Sequence, residues 1–204
     1  MKSILKLHPA WLMLIACCFL QAGCTGILYN CAGIFFPPVC AELGFGVGEL
    51  SFYMTMRGVF MMLLLPLAGR LLVRSNLRVL LSVSVLGAAL AVGAMAFFTQ
   101  LLQWYIAGAF LGIFGSFIFL LPAPIIIGNW FAKKSGLATG IAMACSGLGG
   151  AVMNPVGSYI IAHWGWRSAY LVLAGVCLLL VLPFTLFVVR FQPSDIGALP
   201  YGAS

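Results

Sequence analysis

Apolar residues run through this chain in long stretches that lack the period-two alternation of half-buried strands. Six stretches reach the roughly 20 residues that a helix needs to cross a bilayer. They predict spans at about 10–33, 49–70, 78–98, 104–127, 137–161 and 167–189. A transmembrane barrel would instead show alternating segments of about ten residues. The breaks carry turn chemistry or charge: Phe36-Pro37-Pro38 with Gly44, Gly46 and Gly48, then Arg70 to Arg78, Thr99 to Gln103, Lys133-Lys134-Ser135, and His163 to Arg167. Residues 190–204 read as the start of a loop.

Polar side chains inside such spans are costly, so their positions are informative. Gln21, Thr25 and Tyr29 recur every fourth residue in the first span, which stacks them on one face of an α-helix. Tyr53, Thr55 and Arg57 mark the second span, and Ser146, Asn154 and Ser158 the fifth. The third and sixth are almost blank apart from Ser82, Ser84, Ser168 and Thr185 near their ends, and are expected at the periphery.

Composition narrows the class. Of 204 residues, 64% are hydrophobic and only 6% charged, with a mean hydropathy of +1.17. Soluble domains carry about 25% charged residues. A water-soluble enzyme, a disordered chain and a nucleic-acid binder are thereby excluded, leaving an all-α polytopic membrane protein. The net charge of +7 then reads as topology. With the N-terminus inside, Lys2, Lys6, Arg70, Arg74, Arg78, Lys133, Lys134 and Arg190 all fall on the cytoplasmic side, and Arg167 alone lies outside. That predicts a plasma (inner) membrane protein with both termini cytoplasmic.

Several other chemistries fail on spacing. Leu14-Ile15-Ala16-Cys17 fits a lipoprotein cleavage box behind Lys2 and Lys6, but the apolar run continues past it, so the segment reads as an uncleaved span. Most of the seven cysteines sit in apolar runs as small hydrophobes, with a Cys31–Cys40 pairing left open. Ser146 and His163 lie over about 20 Å apart at helical rise, too far for a protease pair. His8 and His163 show no metal-ligand spacing, and there is no phosphate-binding loop. No metal, cofactor or enzymatic activity is expected.

Arg57 is the sharpest feature. It lies roughly 12 Å inside its span, where an Arg costs about 2.5–3.5 kcal/mol. Thr25 and Asn154 fall at a similar depth, so a Thr–Arg–Asn layer holding a small anion is one reading. An Arg that snorkels outward or bonds a neighbouring carbonyl is the other. The only acids, Glu42, Glu49 and Asp195, all lie in links, at a helix end or in the tail. No carboxylate pairs with Arg57 inside the membrane, which favours an anionic over a cationic solute. Gly108–Gly112 and Gly136–Gly140 fit the small-xxx-small pattern of close helix crossings, and Pro66, Pro122, Pro124, Pro155 and Pro183 mark bends.

The links also carry a family likeness. Gly69-Arg70-Leu71-Leu72-Val73-Arg74-Ser75-Asn76-Leu77-Arg78 resembles the signature between spans two and three of the major facilitator superfamily. Asn129 to Gly140, Gly165-Trp166-Arg167 with Ala169-Tyr170, and Pro193 to Gly202 are similar to the monocarboxylate and oxalate/formate antiporter branch. Val73 stands where the signature has Asp, and Asn154-Pro155 where the Gly-Pro of a drug antiporter is expected. The resemblance implies half of a twelve-helix facilitator fold, its six helices forming two inverted three-helix repeats. It also implies secondary transport by alternating access, of a small organic anion resembling a mono- or dicarboxylate. Arg57 would meet the substrate, with Gln21, Thr25, Tyr29, Tyr53 and Asn154 along the path. Gly69, Arg70, Arg74 and Arg78 would serve gating and topology. The expected partners are the lipid bilayer, the solute and a second six-helix half in the same or another chain. A homodimer of half-transporters, or a non-transporting membrane fragment, are the alternatives.

Overall fold

The computed structural model describes residues 8–197 and 199–202, with the backbone alone for Asp195 and Ile196; Lys2, Lys6 and the end of the terminal loop lie outside the described residues. The described chain is helical, with one isolated bridge between Phe131 and Tyr201. Helices α1 (Pro9–Leu20), α2 (Phe36–Leu43), α3 (Val47–Arg74), α4 (Leu77–Ala94), α5 (Leu101–Ile118), α6 (Pro122–Trp130) and α7 (Ser135–Pro183) follow in order. Short π and 3-10 segments connect or extend them. Five helical segments are long and apolar enough to cross a membrane: Pro9–Leu43, Val47–Arg74, Leu77–Phe97, Leu101–Trp130 and Ser135–Val188.

The sequence predicts six such segments, and the difference lies in the last one. A straight helix over Ser135–Val188 would be about 80 Å long, against about 30 Å of bilayer hydrocarbon. It is broken at Gly165, whose φ of 79° and ψ of 162° are not helical. On either side of the break the chain packs against itself, since a Cβ on Gly157 would touch the Leu173 side chain at 3.7 Å. The residues flanking the segment also meet: Trp130 Nε1 donates to the Arg190 carbonyl at 3.1 Å, and Asn129 Nδ2 to that of Phe191 at 3.1 Å. Only glycine is at ease in the Gly165 conformation. We expect Gly165→Ala to cost about 1–3 kcal/mol, read as a lower melting midpoint of the purified protein in detergent.

The first segment also departs from a plain helix. Gln21–Tyr29 is π-helical and Asn30–Phe35 is 3-10. Phe36-Pro37-Pro38, expected to end the helix, instead opens α2, because a proline in the first turn sacrifices no helical hydrogen bond. The helix stops at Gly44, which takes a left-handed φ of 71°.

Two glycine crossings hold the bundle. A Cβ on Gly108 or Gly112 of α5 would strike the carbonyls of Tyr53 and Arg57 on α3. A Cβ on Gly149 of α7 would strike the Ala22 carbonyl, and one on Gly26 would lie 2.8 Å from the Ser146 carbonyl. Gly108–Gly112 therefore acts as its spacing predicts. Gly136–Gly140 does not: nothing lies within 4 Å of either position, and Gly26 with Gly149 makes the second crossing instead. The sparsely polar helices do find each other, through a buried hydrogen bond of 3.1 Å from Ser82 Oγ to Thr185 Oγ1. All seven cysteines are free, Cys31 and Cys40 included.

Apart from Arg57, the described charges lie at the two ends of the bundle. Arg74, Arg78, Lys133, Lys134 and Arg190 cluster around the links at 75–76 and 131–134. The opposite end holds Glu49, whose side chain accepts from the Gly46 N–H, and the ion pair of Glu42 with Arg167. Glu42 also accepts from Trp166 Nε1 at 2.6 Å, tying the end of the first segment to the turn at Gly165.

Candidate functional site: a buried arginine under a tyrosine ring

Arg57 sits on the inner face of α3, 5% exposed, one turn after Tyr53. Its guanidinium carbon lies 3.8 Å from the centre of the Tyr29 ring. This is a cation–π contact, worth on the order of 2 kcal/mol where water is excluded. Among the described residues no hydrogen bond or ion pair reaches the guanidinium. Its partner is thus an aromatic face on another helix, neither a carbonyl nor a snorkelling route. Tyr29 itself is 37% exposed, so one ring separates a permanent cation from the open side of the bundle. Behind Arg57 is a cavity of about 10 Å³, room for a single water, lined by Tyr53, Tyr170, Cys31 and Met95 among others.

Tyr29 is placed there by irregular backbone. It is the last residue of the π-helix, and the 3-10 turn starts at Asn30. A π-helix closes on the fifth residue, yet Gln21 and Thr25 still meet side by side, and Tyr29 meets Phe119 on the same side as they do.

Gln21 and Thr25 serve a second feature, the break between α5 and α6. Pro122 and Pro124 carry no N–H, and the helix opens at Phe119–Leu121. Gln21 Nε2 donates to the freed Phe119 carbonyl at 3.1 Å, and Thr25 Oγ1 to the same oxygen at 3.3 Å. The single Thr25 hydroxyl proton is shared with Gln21 Oε1, the nearer acceptor at 2.6 Å, and Gln21 Nε2 reaches Met143 Sδ at 3.4 Å. Gln21 is fully buried. The Phe119 ring packs edge-on against Tyr29, which links this knot to Arg57.

The structure thus brings Arg57, Tyr29 and Tyr53 together and joins Gln21 and Thr25 at Phe119. Asn154 is half-buried on α7 and shares no hydrogen bond with Thr25 or Arg57 among the described residues. The Phe119 carbonyl did not stand out in the sequence, and Tyr170 entered only through the resemblance, without a place at the site. The two prolines after Phe119 are the signal for the first, whereas only its place in the cavity behind Arg57 reveals the second.

The positions expected to serve gating and topology lie at one end. A Cβ on Gly69 would lie 3.9 Å from the Leu121 side chain, and Arg70 and Arg74 are exposed on the last turns of α3. Arg78 is tethered: Nε donates to the Val189 carbonyl at 2.7 Å and Nη2 to that of Phe187 at 3.4 Å.

Comparison with known proteins follows the same lines. The family model for the Major Facilitator Superfamily matches residues 4–200. Monocarboxylate transporter 12 of Mus musculus is 29% identical over 182 residues, covering 85% of this chain and 37% of that protein. Monocarboxylate transporter 12-B of Danio rerio is 30% identical over 165 residues, 80% and 34% of the two chains. Monocarboxylate transporter 4 of Rattus norvegicus is 26% identical over 198 residues, 94% and 41%. The chain spans less than half the length of these relatives, which are transporters and not enzymes. A multi-pass membrane protein built from long apolar helices, it belongs to the major facilitator superfamily, in the monocarboxylate-transporter branch.

Proposed function

We propose that this chain is one six-helix half of a secondary transporter for small organic anions of the monocarboxylate kind. The observation that carries this reading is Arg57: a cation that cannot be neutralised, buried without an acidic partner and roofed by one exposed tyrosine. An anion able to displace the Tyr29 ring would gain a guanidinium fork in a site that excludes most water. Tyr29, Thr25 and Asn154 keep surface open beside that path, while Gln21 and Tyr53 hold the site from behind. Gly69, Arg70, Arg74 and Arg78 act in gating and orientation.

The break at Gly165 divides the last segment into two crossings, giving six. The two glycine crossings, of the first segment with the fifth and of the second with the fourth, favour two inverted three-helix repeats. The basic end faces the cytoplasm by the positive-inside rule, which puts both termini there in a plasma (inner) membrane. A second half has a surface to meet. Met62 and Leu63 on α3 are 77% and 70% exposed, and Leu148 and Val152 on α7 are exposed too.

Uptake into cells producing the protein tests the reading. A radiolabelled monocarboxylate such as lactate is expected to enter saturably, and glycerol, similar in size but neutral, is not. Equal entry of the two, or no saturable entry of the anion in the protein's full assembly, would overturn it.

A further inference from the structure

A second cationic site lies at the basic end, some distance from Arg57. The link Ser75-Asn76 and the end of the last helix enclose a cavity of about 350 Å³, lined among others by Ser75, Asn76, Arg78 and Arg190. Among the described residues no acidic side chain lines it. The Arg78 guanidinium is fixed from behind by the Val189 and Phe187 carbonyls, leaving its remaining N–H groups unused. Among the described residues no hydrogen bond or ion pair engages the Arg190 guanidinium; only its backbone is bonded, to Met13 and Trp130. Two arginines in one polar cavity offer paired N–H donors to the oxygens of a phosphate.

The surroundings favour a lipid as its source. Phe187, whose carbonyl anchors Arg78, turns a 76% exposed ring outward. Val79 and Val83, one turn apart on α4, continue an exposed apolar stripe away from the cavity along the bundle wall. Charge in a polar recess with a hydrocarbon-lined wall beside it matches a headgroup and its acyl chains. We propose that the cavity at Arg78 and Arg190 binds the phosphate of an anionic phospholipid in the leaflet at the basic end. The lipid would then clasp the start of α4 to the end of the last helix.

The 204-residue chain, purified in detergent, is equilibrated with equal amounts of phosphatidylglycerol and phosphatidylcholine, and bound lipid is counted by native mass spectrometry. Phosphatidylglycerol is expected to be retained preferentially. Arg190→Gln should reduce that preference about fivefold, the effect of one basic side chain at an anionic surface. Lys133→Gln, which removes the same charge elsewhere on this end, should leave it unchanged. Inorganic phosphate at the lipid's own concentration should displace nothing. Equal retention of the two lipids, or an Arg190→Gln variant with wild-type preference, overturns the site. Displacement by inorganic phosphate overturns the lipid and places a soluble phosphate there. Should Arg190→Gln fail to fold, raising salt from about 0.05 to about 0.5 M on the wild type replaces it. The preference must then disappear, and its persistence overturns the site.

Discussion

Arg57→Gln is expected to abolish anion uptake while the protein still reaches the membrane in wild-type amount. Removing one partner of a buried, hydrogen-bonded charge pair costs about 2–5 kcal/mol. That corresponds to a loss of from about 30-fold to several thousandfold. Folding should be spared. Among the described residues Arg57 holds no carbonyl or carboxylate, so glutamine leaves no charge stranded. A neutral amide is also cheaper in hydrocarbon than a guanidinium. The one directed contact that the folded state loses is that with Tyr29. Arg57→Lys keeps the charge but not the planar fork, and is expected to transport with a raised KM. Initial-rate uptake, normalised to membrane protein by immunoblot, separates these outcomes. Wild-type uptake by Arg57→Gln would remove Arg57 from the transport path.

Gly112→Leu should leave almost no folded protein, for a reason independent of transport. A Cβ there would strike the Arg57 carbonyl and stand 2.7 Å from the Phe60 Cβ and 3.0 Å from the Met61 nitrogen. Two of these are backbone atoms that no rotamer change can move. Overpacking costs about 1–3 kcal/mol even where side chains can shift; here α3 and α5 must separate. The comparison is Gly136→Leu. The spacing in sequence is the same, but its Cβ meets nothing within 4 Å. Gly112→Leu is expected to be lost from the monodisperse peak on gel filtration in detergent, and Gly136→Leu to elute as wild type. Equal behaviour of the two variants would contradict the crossing described here.

These two cases show what a sequence can and cannot carry. Gly108–Gly112 and Gly136–Gly140 have the same pattern, and only the neighbouring helix decides which one is a contact. The apolar runs and their breaks were legible because hydrocarbon length and turn chemistry are local. Gly44 and the Gly165 turn fall where the links were expected. The π and 3-10 stretches between Gln21 and Phe35 were not legible, since a four-residue polar spacing looks the same whichever helix carries it. Pro37 and Pro38 misled for a related reason: proline ends one helix and begins another with equal ease.

The site was half legible. An arginine in an apolar run declares itself by cost alone, and the shortage of acids showed that its partner would not be a carboxylate. That the partner is Tyr29 is a contact between helices, outside the reach of spacing. Gln21 and Thr25 stood out as polar, but their bond to the Phe119 carbonyl depends on where α5 opens before Pro122.

The central claim is that a solute anion reaches Arg57 from the open side by way of Tyr29. Labelling with an arginine-selective dicarbonyl, read residue by residue by mass spectrometry, tests it most directly. Arg57 should label slowly, and a saturating monocarboxylate should suppress that labelling while leaving exposed Arg74 unaffected. Labelling of Arg57 that is unchanged by the anion, or an Arg57 that never labels, would contradict the claim.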